Sequence, residues 1–226
     1  MINLYRAVKS SHLNQAFGEN LVCVKVDEYG TAIRPFRVAG GLFPSLCPPG
    51  YRRFYPLIGM KGHNGRDWMA YHGEPVYFSA TNGSADPIVG TCYTEIDADG
   101  GKGVDIVFQD PDTLEWFQLK ELHLLEQKVY DGQVIKSGDL IGYADSTGAS
   151  GGDHLHNGLK PLNSNNLEKK KFPANGYTGA VDPVTYPGIQ DYQATSFILD
   201  ILNRKQQLTL LQMVYELLSI IKGRQG

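Results

Sequence analysis

The cadence of turn-forming residues between residues 75 and 144 constrains the fold more than any other feature. Asn82-Gly83, Asp99-Gly100-Gly101, Asp110-Pro111-Asp112 and Asp131-Gly132 each interrupt the chain after a short run of alternating apolar and polar residues. Such clusters supply the tight reversals that longer helical patterns do not tolerate. The runs between them therefore read as strands, at residues 75–78, 103–108, 115–119 and 140–144, with further strands at 22–26 and 152–160. Short strands joined by tight turns predict a mainly β protein with an antiparallel β-sheet core. Glycine agrees, at 26 of 226 residues against an average usage of about 7%.

Composition narrows the function classes. Apolar residues at 42% and charged residues at 20% are ordinary globular proportions, which excludes wholesale disorder and fibrous repeats. Lys plus Arg number 21 against 24 Asp plus Glu, a formal charge of −3, so no global positive field invites nucleic acid. No apolar run reaches the length of a transmembrane span. Residues 1–11 carry Arg6 and Lys9 with no apolar stretch behind them, so no secretory signal peptide is expected. Cys23, Cys47 and Cys92 are far apart and form no CxxC pair, so neither a disulfide framework nor a zinc-thiolate site is expected and each reads as a small buried residue. Residues 35–56 turn loop-like and read as a long surface excursion, with Tyr51, Phe54 and Tyr55 as candidate rim residues of a groove. Residues 191–222 hold no Gly or Pro and place Ile198, Leu202, Leu211, Val214, Leu218 and Ile221 at helical spacings, which predicts a C-terminal helical segment for self-association or for attachment to a partner or a membrane surface.

Two histidine patterns carry the chemistry. In Gly62-His63-Asn64-Gly65-Arg66-Asp67 the glycines disfavour a helix, but a turn entering a strand can still bring the imidazole and the carboxylate to one point. In Asp153-His154-Leu155-His156 alternate side chains on a strand project from one face, so His154 and His156 point together while Leu155 enters the core. Three protein ligands and one open position make a catalytic zinc site, and imidazole with carboxylate suits that borderline ion. The residues supply His63, Asp67 and one of the two histidines of the HxH pair.

In their order these motifs resemble the lysostaphin/LytM-type zinc metallopeptidases. Leu13-Asn14-Gln15-Ala16-Phe17-Gly18 is similar to that family's opening strand, residues 62–67 to its ligand turn and Lys120-Glu121-Leu122-His123-Leu124 to its Y-x-H-L strand. Residues 129–142 are similar to its V-x-x-G-x-x-V-x-x-G-x-x-I-G hairpin, Ser146-Thr147-Gly148-Ala149-Ser150 with Asp153-His154-Leu155-His156 to its T-G-x-S…H-L-H segment, and Val181-Asp182-Pro183 to its closing V-D-P. The resemblance covers residues 13–18 and 57–187. It implies a duplicated hybrid motif (barrel-sandwich hybrid) fold, with Zn2+ held by His63, Asp67 and His156 and with His123 and His154 as the two catalytic histidines beside the water and the scissile carbonyl. His12 and His72 match no motif and read as surface or structural residues.

The implied activity is a zinc-dependent endopeptidase hydrolysing peptide stems or cross-bridges of bacterial peptidoglycan. Residues 57–187 would be its core, 1–56 an N-terminal strand and long excursion belonging to that core, and 188–226 a helical attachment or assembly segment for self-association or a virion partner. Without a signal peptide, the expected setting is a phage or prophage wall-degrading protein, virion-associated or released from the host cytoplasm. A non-catalytic scaffold or regulator of the same fold and a metalloprotease acting on a protein substrate are the alternatives. Three departures stand out. Arg66 is a charged residue inside the ligand turn, expected to pair with a carboxylate or reach toward substrate; Asn157-Gly158 follows the HxH, predicting a looser strand behind His156; and the excursion over residues 19–56 is long.

Overall fold

The computed structural model describes residues 1–10, 12–34, 37–40, 47–84, 86–97 and 99–193. The N-terminal third contains β1 (Ile2–Tyr5), β2 (Leu13–Gln15), β3 (Val22–Lys25), β4 (Val38–Gly40), β5 (Tyr51–Arg53) and the one-turn helix α1 (Phe54–Leu57). The middle contains β6 (Arg66–Met69), β7 (Pro75–Tyr77), β8 (Ala80–Asn82), β9 (Val89–Asp97), β10 (Gly101–Gln109), β11 (Trp116–Leu122) and β12 (Leu124–Gln127). Then follow β13 (Val134–Lys136), β14 (Leu140–Ala144), β15 (His154–Leu162) and β16 (Ile189–Gln193). The protein is mainly β and its sheets are antiparallel throughout, apart from the parallel pairing of β1 with β16.

A seven-stranded sheet in the order β13-β9-β10-β11-β15-β6-β2 is the frame, flanked by the three-stranded sheets β16-β1-β8 and β12-β14-β7. Alternation assigns its faces. Val104, Ile106 and Phe108 of β10, Phe117 and Leu119 of β11, and Leu155 and Leu159 of β15 are all buried in one apolar cluster. Ile2 and Leu4 of β1, Phe78, and Ile141 of β14 join the same cluster. Each large apolar side chain so buried contributes roughly 1.5–3 kcal/mol. The residues between them turn to the opposite face, where the cleft lies.

The predicted strands at 22–26, 75–78, 103–108, 115–119, 140–144 and 152–160 correspond to β3, β7, β10, β11, β14 and β15. The excursion is more ordered than its composition predicts. Its β4 and β5 flank β3 in a third small sheet, β4-β3-β5, and a second cluster of Val24, Phe54, Tyr55 and Met60 packs beneath it. The predicted helix begins at Asp191, but Asp191 to Gln193 continue β16, and the rest of that segment lies outside the described residues. No helix among the described residues is long and apolar enough to cross a membrane.

The cysteine expectation is overturned. Cys23, at the centre of the small sheet, and Cys47 form a disulfide with Cα atoms 5.7 Å apart and a sequence separation of 24; Cys92 alone is the free, buried cysteine that was expected. The crosslink closes a loop of middling length, for which the chain-entropy argument gives about 3 kcal/mol. A Cys23→Ala/Cys47→Ala variant should therefore unfold at a clearly lower urea concentration, with stability reduced by about that amount.

Candidate metal centre and cleft

His63 sits in the turn that enters β6. The turn is clamped to the loop after β2: Gly18 N–H donates to the His63 carbonyl and His63 N–H to the Glu19 carbonyl, both at 2.8 Å. Gly62 has to be glycine here, because a Cβ would run into the Gly18 backbone. Asp67 lies on β6 directly opposite His156 of β15, and Gln15 of β2 pairs with Asp67 from the other side. A cross-strand pair of this kind brings side chains within reach of one another.

The three predicted ligands converge. His63 Nε2 lies 2.8 Å from His156 Nδ1 and 3.0 Å from Asp67 Oδ1, and His156 Nδ1 lies 3.1 Å from the same oxygen. All three residues are buried. His63 Nδ1 is 3.1 Å from the Ala16 carbonyl, which can only accept, so that nitrogen carries the proton and Nε2 of the neutral ring presents a lone pair. Asp67 Oδ1 is likewise an acceptor. At most one proton, on His156 Nδ1, could mediate among these three atoms, and the other ring nitrogen of His156 is buried without a partner. A cation satisfies all three donors at once, so the residues present fit a metal ion.

Electrostatics follow from burial. Burial alone would raise the Asp67 carboxyl, but the His63 and His156 imidazoles set against it outweigh burial and hold the group well below the usual carboxylate range. Burial pushes His156 down to about 4 despite its bond to Asp67. It pushes His123 down to about 3, with His154 and His156 acting in the same direction.

His123 and His154 stand beside the triangle, with ring centroids 4.5 Å apart. His123 is not on a strand, as its motif predicts. It separates β11 from β12 with a left-handed φ of 66°, and this bend turns its ring into the cleft. Its Nδ1 donates to the Thr147 carbonyl at 2.7 Å, and His154 Nδ1 donates to the Gly152 carbonyl at 2.7 Å. Both rings are thereby oriented with Nε2 free for chemistry; His154 Nε2 is 3.6 Å from Asp67 Oδ2. His12 and His72 are exposed and outside this group, and His72 pairs with Asp145 at 2.9 Å.

The group opens into a cavity of about 400 Å³. One wall is the disulfide-linked sheet with α1, which contributes Val22, Val38, Phe54, Tyr55, Ile58 and Met60; Tyr51, the third predicted rim residue, does not line it. The Tyr55 hydroxyl accepts from Gln15 Nε2 at 3.0 Å and its ring lies 5.7 Å from that of His63, so this wall supports the ligand turn. Arg66 pairs with Asp182 of the V-D-P segment at 3.4 Å.

The strand behind His156 is tight, against expectation. Asn157 is fully buried and donates to Glu121 Oε1 at 2.6 Å. Glu121 is also fully buried and its Oε2 has no partner. Burial raises its carboxyl well above the ordinary range, against the Asn157 hydrogen bond. A raised folded-state value means that stability is complete below about pH 4, the range of an unfolded glutamate, and is lost as pH rises through the folded value. Glu121→Gln should thus leave stability unchanged near pH 4 and raise it at pH 8, read from urea midpoints at the two pH values.

No protein-family model and no curated protein matches the chain. Among solved structures, it is similar to the catalytic domain of the antimicrobial peptidase lysostaphin from Staphylococcus simulans, at 23% identity and a TM-score of 0.39 over 55% of this chain and 77% of that one. It is similar to the catalytic domain of the prophage-encoded M23 protein EnpA from Enterococcus faecalis, at 23% identity and a TM-score of 0.40 over 56% of this chain and 80% of that one. A zinc-containing peptidase from Vibrio cholerae matches at 18% identity and a TM-score of 0.46, over 85% of this chain and 40% of that one.

Proposed function

We propose that the protein is a zinc-dependent endopeptidase that hydrolyses peptide stems or cross-bridges of bacterial peptidoglycan. The observation that carries this reading is the convergence of His63 Nε2, His156 Nδ1 and Asp67 Oδ1 within 3.1 Å of one another, beside two more imidazoles in a cleft. These three residues would hold the ion, which when bound supplies Lewis acidity toward a carbonyl and acidifies an attacking water. His123, its Nδ1 proton committed to Thr147, offers Nε2 as acceptor of the water's proton. His154, oriented by Gly152 with Nε2 unprotonated, relays that proton to the departing amine, so the proton the water loses is the one the amine gains. The apolar wall of Phe54, Tyr55 and Met60 excludes bulk solvent and strengthens each of these interactions.

The wall substrate rests on the ordered sequence motifs. The Cys23–Cys47 disulfide supports it, because such crosslinks persist in oxidising surroundings rather than in a reducing cytosol. Completeness of the five-residue set speaks against a non-catalytic scaffold. The test is to incubate metal-loaded protein with peptidoglycans of glycine-bridged and directly cross-linked types, and with casein, and to identify products by mass spectrometry. New termini within stems or bridges are expected. Cleavage of casein alone would move the assignment to a protein-directed protease, and no cleavage of any substrate by fully loaded protein would leave the scaffold.

A further inference from the structure

The face of β15 that presents His154 and His156 continues through Gly158 to Lys160. Lys160 is only 5% exposed, yet it lines the same cavity as the His63, Asp67 and His156 group. Among the described residues no hydrogen bond or ion pair reaches its ammonium. Burying a cation without a partner is costly, and the nearby carboxylates are engaged elsewhere. Lys120 is ion-paired with Glu95 and lies 3.5 Å from Asp105, and Asp105 also accepts from Gln118 Nε2 at 2.7 Å. Burial first, and then the Lys120 charge, push the Lys160 amine down to about 8, which still leaves it mostly protonated at neutral pH.

We propose that Lys160 anchors a carboxylate of the substrate peptide and so fixes which bond lies over the metal group. The inference rests on the peptidase reading above. Lys160 is four residues beyond His156, about 13 Å along the strand at ~3.3 Å per residue. A peptide extended along the cleft advances by the same step, so with the reach of the lysine stem the carboxylate sits about two to four residues from the bond that is cut. Two sources offer this group: the terminal carboxylate of a stem peptide, and the free carboxylate of a diamino acid within it.

The test uses the zinc-loaded full chain and a cross-linked stem-peptide dimer in three forms: unmodified, amidated at the terminal D-alanine, or amidated at the diamino acid. One amidation should lower kcat/KM about tenfold or more, chiefly through KM, as expected for loss of a charge-assisted contact, and which one does so identifies the source. Lys160→Met should cleave all three forms at the rate of the poor substrate without loss of thermal stability, since it removes a buried charge and keeps the volume. Lys160→Arg should retain the preference. Equal rates on all three forms with wild type, or a preference that survives in Lys160→Met, would overturn the proposal. Equilibrium binding of the same peptides separates the two readings: discrimination without cleavage leaves the subsite standing and removes the peptidase assignment, whereas no discrimination in binding or cleavage removes the subsite.

Discussion

Asparagine in place of His123 is expected to leave the protein folded and metal-loaded while lowering peptide hydrolysis by about 10²–10⁴-fold, the usual worth of a positioned proton-transfer group. Asparagine is the informative replacement because His123 has a φ of 66°, a left-handed conformation that asparagine tolerates and most other residues resist. It has no titratable nitrogen with which to accept a proton. His154 lies on an extended strand, so alanine serves there, and His154→Ala should show a loss of the same order. In both variants kcat should fall with little change in KM, as for a group that acts in the transition state rather than in binding. Turnover within a few-fold of wild type in either variant would remove that residue from the mechanism.

Gly65→Ala is expected to lower metal affinity by at least about 10–100-fold, the scale on which supporting groups around a metal act, although the residue binds nothing itself. A Cβ at this position would lie 2.6 Å from both Cε1 and Nε2 of His156 and 2.6 Å from the Asn157 carbonyl oxygen. β15 cannot retreat, because it pairs with β6 on one side and β11 on the other. The His156 ring has to swing instead, carrying Nδ1 away from His63 and Asp67. Zinc affinity measured by competition with a chromophoric chelator checks this, and wild-type affinity in the variant would show that the ring is not held as described.

Where the physics is local, the sequence was readable. The period-two pattern of β15 places His154 and His156 on one face and Leu155 and Leu159 in the core, and the glycine-flanked turn at 62–65 enters a strand as its composition requires. What escaped the sequence depends on pairing at a distance. Cys23 and Cys47 meet because β3 is flanked by β4 and β5, and no spacing rule links two lone cysteines. The same sheet turns what reads as a loop into a wall of the cleft. The register that sets His156 opposite Asp67 and Asn157 opposite Glu121 is equally invisible in one dimension. Glu121 and Lys160 look like ordinary strand residues until burial separates them from solvent, and the bend at His123 is masked because the apolar residues on either side, Leu122 and Leu124, continue a strand pattern.

Zinc per polypeptide, measured by elemental mass spectrometry on protein purified without chelators, decides whether His63, Asp67 and His156 hold a metal ion. About one ion per chain is expected in wild type and in His123→Asn, and close to none in His63→Ala and Asp67→Ala. Undiminished zinc in both ligand variants would contradict that assignment.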